Sequence, residues 1–177
     1  MRVSGAGSLS LPRVCARVAL RPLRASDLRR FQSYRHDPQV GRYQGWSPMP
    51  DAEAEQFLKG MTFRPGEWYQ LGIADRETDI LLGDIGLFVR TPLDDAEIGF
   101  TMSREAQGRG LATEAVGEAL RMLFEIGTLQ RIGAVSDSRN EASIRLLQRV
   151  GMSWTGALQS ICRGEACVEY VYEILRP

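Results

Sequence analysis

Histidine is nearly missing from this 177-residue chain: His36 is the only one. A Ser-His-Asp or Cys-His catalytic pair would depend on that single imidazole, and a zinc site would have to draw on scattered residues. Cysteine is scarce too. Cys15, Cys162 and Cys167 form no even framework and have no metal-ligand spacing, so they read as buried or half-buried thiols in a reducing cytoplasm, and no metal is expected. Net charge is absent, with 22 Lys+Arg against 22 Asp+Glu, which removes the electrostatic case for nucleic-acid binding. No apolar run approaches membrane-span length. Met1 to Ser10 lacks the continuous apolar core of a secretory signal, so residues 1–17 read as a partly flexible extension and the protein as cytoplasmic.

What is present is an ordinary globular composition, 44% hydrophobic and 25% charged, in a length that suits one domain over 18–177. Val18 to Leu23 reads as a strand stopped by Pro22. Ser26 is positioned to cap a helix carrying Leu28 and Phe31, which ends at His36-Asp37-Pro38. After Pro50, the residues Ala54, Phe57, Leu58 and Met61 fall on one helical stripe. Three strand-like runs follow, Trp68 to Ala74, Ile80 to Val89 and Glu97 to Met102. From Gly110 to Gly127, Ala112, Ala115, Val116, Ala119, Leu120, Leu123 and Phe124 repeat at helical spacing. Arg131 to Ser136 is a short strand. Ser138 to Glu141 has the pattern of a capping box, Gly151 closes that helix, and strands near Met152 to Leu158 and Val168 to Leu175 complete the chain. This order implies an α/β (α+β) fold: a mixed, mostly antiparallel sheet of about seven strands flanked by about four helices.

The informative segment is Glu97 to Met102 followed by Gln107-Gly108-Arg109-Gly110-Leu111-Ala112. A strand feeds a glycine-bearing turn that opens directly into a helix. Gly108 and Gly110 let backbone approach a ligand, and the free N–H groups of the first helical turn suit a diphosphate. From the local pattern alone, tight helix–strand packing without any ligand is the other reading. A Walker loop would need Lys-Ser/Thr where Leu111-Ala112 stands, and a Rossmann fingerprint would need a third glycine in a parallel βαβ unit. Neither is present.

Gln107 to Ala112 resembles the coenzyme A signature, Gln/Arg-x-x-Gly-x-Gly/Ala, of the GNAT N-acetyltransferase superfamily. Glu97-Ile98-Gly99-Phe100, Ala112-Thr113-Glu114-Ala115, Leu20-Arg21-Pro22-Leu23, Asn140-Glu141-Ala142-Ser143 and Arg149-Val150-Gly151-Met152 resemble its ribosomal-protein N-terminal acetyltransferase (RimJ/RimL-like) branch. The resemblance runs from about Val18 to Leu175. It implies acetyl-CoA as co-substrate and direct acetyl transfer to a primary amine, a protein N-terminus or a small molecule. It also implies roles for particular residues. Main-chain groups of Phe100, Thr101 and Met102 would pair with the pantetheine arm, and Thr101 or Met102 would donate an N–H to the oxyanion. Amides from Gln107, Gly108, Arg109, Gly110, Leu111 and Ala112 would hold the diphosphate, with Asn140 reaching the pantetheine or serving only its helix start. Glu97 is the first candidate for general base, with Asp84 behind it, and Ser143 for protonating the thiolate. Tyr43, Trp46, Trp68 and Tyr69 would wall an acceptor cleft or simply pack. A homodimer is compatible with the resemblance. The alternative reading is a non-catalytic acyl-CoA-binding sensor or scaffold.

Overall fold

The structure, a computed structural model, describes residues 9–126 and 128–177; the first eight residues of the expected extension lie outside them. Among these residues eight strands form one sheet: β1 (Arg13–Val14), β2 (Val18–Pro22), β3 (Trp68–Asp75), β4 (Leu81–Val89), β5 (Asp95–Met102), β6 (Arg131–Asp137), β7 (Ser153–Cys162) and β8 (Glu165–Leu175). Their spatial order is β1-β2-β3-β4-β5-β6-β8-β7, and only β5 and β6 run parallel. Five helices accompany them among the described residues: α1 (Leu28–Arg35), α2 (Pro38–Gly41), α3 (Asp51–Gly60), α4 (Leu111–Phe124) and α5 (Glu141–Arg149). The fold class is the expected one. The extra strand is the two-residue β1, which pairs with Ala19 and Leu20. The extra helix is α2, where the expected turn at Pro38 instead puts proline in a first helical turn capped by the Asp37 carboxylate. Among the described residues, no helix is long and apolar enough to cross a membrane.

Strand alternation decides which helix covers which face. Ile85, Leu87 and Ile98 share one core with Leu111, Ala115, Val116, Ala119 and Leu123 of α4. Their sheet neighbour Asp84 projects from the opposite face, where it meets Tyr34 and Arg35 of α1. Phe31, Ala54 and Leu58 pack there with Leu23 and Leu81. A third cluster, Ala134, Leu147, Met152 and Tyr172, seats α5 against β6 and β8.

Ion pairs pin the element ends. Arg21, 3% exposed, donates two hydrogen bonds to the Asp27 carboxylate and a third to Asp79 across the β3–β4 turn. Asp27 therefore sits at the start of α1, and Ser26 makes no cap there. Arg17 donates backbone and side-chain N–H groups to Glu114 and another to the Arg109 carbonyl, which props the turn before α4 from beneath.

These contacts make stability depend on pH. The hydrogen bond from Arg21 holds the Asp79 carboxyl below its usual range. At Glu114 burial pushes the carboxyl up, but the hydrogen bonds from Arg17 outweigh it and leave it low. Folded-state values below the unfolded ones mean that this stabilisation is full at neutral pH and lost as pH falls through the carboxylate range. The thermal midpoint should therefore drop on acidification below about pH 5. Arg17→Ala should flatten part of that slope, and a midpoint indifferent to acid would contradict the assignment.

Candidate active site

β5 and β6 pair only at Asp95↔Arg131, Ala96↔Ile132 and Glu97↔Gly133. Beyond Glu97 they splay, and the gap is a cleft of about 540 Å³ bounded by Ile98 to Met102 on one side and Ala134 to Asp137 on the other. The turn before α4 and the first turn of α5 close its floor. Its opposite lip carries Gln39, Tyr43 and Gln44.

The approach of β4 to β5 requires a glycine. A Cβ on Gly83 would stand 2.2 Å from the Thr101 carbonyl oxygen, so only glycine admits the pairing of Gly83 with Met102. That carbonyl points toward β4, and so does the Ser103 amide, which donates to Leu82. Because backbone direction alternates along a strand, Phe100 and Met102 turn their N–H and C=O groups toward the cleft. Their carbonyls accept instead from the side chains of Gln44, at 3.2 Å, and Gln107, at 3.1 Å. The edge that a ligand strand would pair with is thus capped by two glutamine amides, one from each end of the cleft.

At the floor, Gly108 and Gly110 take φ values of +73° and +75°, the left-handed region where a side chain is strained. Gly110 is the residue before α4, and the helix begins at Leu111. Among the described residues, no carbonyl accepts from the amides of Gly108, Arg109 or Gly110. With the first amides of α4, which lack intrahelical partners, they present an array of donors at the positive end of a helix dipole. An anion with several oxygens fits such an array.

Of the residues singled out from sequence, Phe100, Thr101, Met102, Gln107, Gly108, Gly110, Leu111, Ala112, Asn140 and Ser143 line this one cleft. Arg109 does not line it; its carbonyl receives Arg17 from below. Asn140 caps α5, its side-chain oxygen accepting from the Ser143 amide, which leaves its NH₂ free for a ligand. Ser138 does not cap, because its N–H still donates to Val168 as a continuation of the sheet. Glu97 stands outside the cleft lining, at the point where β5 and β6 part, with its carboxylate 3.4 Å from Arg90. It shares a face with Gly99 and Thr101, and a Cβ on Gly99 would meet nothing within 4 Å, so open space separates them. Asp84 is 2% exposed and bound to Arg35 and Tyr34, so it is a structural carboxylate, unavailable to a substrate.

Among the four aromatics, only Tyr43 lines the cleft, between the guanidinium groups of Arg42 and Arg139 at 5.1 and 5.9 Å from its ring centroid. Trp46 stands behind it, donating to Thr101 Oγ1 and stacked on Arg35. Trp68 and Tyr69 pack elsewhere, on Phe88 and Phe63. Sequence reading missed Ser136 and Asp137. Asp137 is 4% exposed, and hydrogen bonds from Arg139 hold its carboxyl below the usual range, which makes it a weak base. The cysteine reading is corrected as well: Cys162 and Cys167 form a disulfide across the β7–β8 turn, and Cys15 alone is free. An odd cysteine count conceals a hairpin pair.

Residues 17–153 match the sequence profile of the acetyltransferase (GNAT) domain. The uncharacterized N-acetyltransferase p20 of Bacillus licheniformis is 27% identical over 167 residues, covering 90% of this chain and 93% of its own. Among solved structures, a GNAT-family acetyltransferase from Bacillus anthracis superposes with a TM-score of 0.83 at 23% identity, covering 93% of this chain and 98% of its own. RimL, a ribosomal L7/L12 α-N-protein acetyltransferase in complex with coenzyme A, superposes at 0.82 with 14% identity, over 94% and 98%. At these identities the superpositions speak for the fold, while the profile carries the family. The chain belongs to the GNAT acetyltransferase family and is an acetyl-CoA-dependent N-acetyltransferase.

Proposed function

We propose that acetyl-CoA lies in the cleft between β5 and β6 and gives its acetyl group directly to a primary amine that enters past Tyr43 and Gln44. The observation that carries this reading is the splay after Glu97. It opens the Phe100–Met102 edge beside a turn whose amides are free, so one elongated ligand with a diphosphate head satisfies both. Its pantetheine amides would replace the glutamine side chains on the Phe100 and Met102 carbonyls, and the Asn140 NH₂ would reach it from α5. Between Thr101 and Met102, strand alternation favours the Met102 N–H as the oxyanion donor, because the Thr101 amide is turned toward β4.

Holding thioester and amine in line supplies much of the rate. Glu97 takes the ammonium proton through water along the space left open above Gly99, and Ser143 protonates the departing thiolate. The RimL-like branch is the favoured placement, on the agreement of the α5 motifs and of the RimL fold, with a peptide N-terminus as the acceptor tried first and a cytoplasmic site of action.

Calorimetry with acetyl-CoA, followed by release of free thiol on a panel of peptide N-termini and small amines, tests the reading. Saturable binding with thiol release on at least one amine is expected. Binding without release on any amine would favour the sensor alternative, and absence of binding would remove the cleft assignment altogether.

A further inference from the structure

The β7–β8 hairpin carries a ligand set that acetyl transfer does not use. Cys162, the last residue of β7, and Cys167, the third of β8, lie diagonally across the strands joined by the two-residue turn Arg163-Gly164, with their Cα atoms 5.7 Å apart. The side chain of Asp137, at the end of neighbouring β6, reaches the same point. One carboxylate oxygen and the two sulfurs all lie within 4.8 Å of one another. Asp137 is 4% exposed and Cys167 9%, while Cys162 is half-buried. Beside it a broad depression of about 640 Å³, bordered by Ser138, Gln159, Ser160 and Cys167, gives an ion a way in.

We propose that, once the Cys162–Cys167 disulfide is reduced, the two sulfurs and the Asp137 carboxylate form a site for one thiophilic divalent cation of the zinc type. The step balances: a phosphine gives two electrons to the S–S bond and becomes the phosphine oxide, taking its oxygen from water, and the same water gives the two protons that complete the thiols. The cation then displaces both thiol protons. Two thiolates and a carboxylate carry three negative charges, and Arg139, bound to Asp137, returns one positive. The remaining two are what a divalent cation neutralises. Asp137 can serve without leaving Arg139, because its Oδ1 accepts from the Arg139 amide and Nε whereas Oδ2 accepts from Nη2 alone. Tetrahedral zinc needs S–Zn distances of about 2.3 Å, which sets the sulfurs roughly 3.7 Å apart. Three protein ligands leave a fourth position for water from the depression.

The site also has a mechanical connection. Arg163, at the turn between the two cysteines, donates to the carbonyls of Gly41 and Trp46 at 3.2 and 3.4 Å. Arg163 thus joins the hairpin to the loop that bears Tyr43 and Gln44, and the bridge between Cys162 and Cys167 lies beside the turn from which it reaches.

The test uses Co²⁺ as a spectroscopic stand-in, read without any acetyl acceptor. The full chain is reduced with a phosphine, freed of reductant without air, and titrated with Co²⁺. The expected result is one Co²⁺ per chain, a near-ultraviolet thiolate-to-cobalt band with the visible bands of a tetrahedral ion, and displacement by Zn²⁺. The oxidised wild type should show none of these, a comparison that needs no substitution. Cys162→Ser and Cys167→Ser should each abolish the one-per-chain signal, although Cys15 remains. Asp137→Asn should weaken binding by at least about tenfold, the least that losing even an outer-shell partner costs. No thiolate band in the reduced wild type, or one that persists when both cysteines are serine, overturns the site. An unchanged affinity in Asp137→Asn overturns the three-ligand set.

Discussion

Ser143→Ala is expected to lower kcat by about 10²- to 10⁴-fold, the range set by removal of a positioned proton donor, with the affinity for acetyl-CoA little changed. The geometry gives the reason. Ser143 lies in the first turn of α5 and lines the cleft, and its amide is already satisfied by Asn140. Among the described residues no hydrogen bond involves its hydroxyl, and the half-buried side chain faces the cleft. Leu146 and Leu147 follow it on the helix and are buried, so neither position supplies a second hydroxyl. A thiolate leaving beside α5 thus meets the Ser143 hydroxyl as the proton source that this helix supplies. Glu97→Gln should lower the rate as well, because an amide cannot take the proton from the ammonium. Rapid-quench or thiol-release kinetics with any accepted amine separates chemistry from binding. If neither substitution changes the maximal rate, both roles are wrong, while acetyl-CoA binding would still stand.

Which parts were legible in the sequence follows from the range of the interactions involved. α4 was readable because its buried residues recur at helical spacing within fourteen positions, and the glycine turn before it because a positive φ has a residue signature. The residues proposed to hold the cofactor's diphosphate lie in that continuous stretch. The features that were misread are settled by partners far along the chain. Asp27 is claimed by Arg21, which itself reaches Asp79, 58 positions away, and so Ser26 loses its cap. Ser138 looks like a cap until the register with Val168 keeps it in the sheet. Cys162 and Cys167 become a pair only once the β7–β8 turn is known. Asp137 carries no motif at all; it enters the cleft because β6 parts from β5, which is a fact of pairing and not of pattern.

Asp84→Ala is expected to cost about 3–5 kcal/mol of stability, the penalty for leaving a buried charge without its partner. Asp84, Tyr34 and Arg35 are 2%, 2% and 4% exposed. The carboxylate accepts from the Tyr34 hydroxyl and from Arg35 Nη2, at 2.9 Å for the nearer oxygen. Burial, and next the charge of Asp84, push the Tyr34 phenol well above the usual tyrosine range, so it stays a neutral donor. Arg35 lies 4.7 and 4.4 Å from the ring centroids of Phe31 and Trp46 and, among the described residues, pairs with no other carboxylate. Without Asp84 its charge has only the ring faces, which offset a small part of the desolvation. Replacing the whole set, as Asp84→Leu with Arg35→Met and Tyr34→Phe, should cost less than Asp84→Ala alone, because apolar groups of similar volume need no partner. That inversion, one substitution worse than three, is the sign of an ion pair retained for position. What it positions is Trp46, whose indole N–H holds Thr101 on the strand that borders the cleft. The triple variant should therefore melt near the wild type yet bind its amine acceptor more weakly, with acetyl-CoA affinity retained. Denaturant unfolding of the two variants decides the energetics, and a loss under about 1 kcal/mol in Asp84→Ala would mean that water reaches Arg35 in solution.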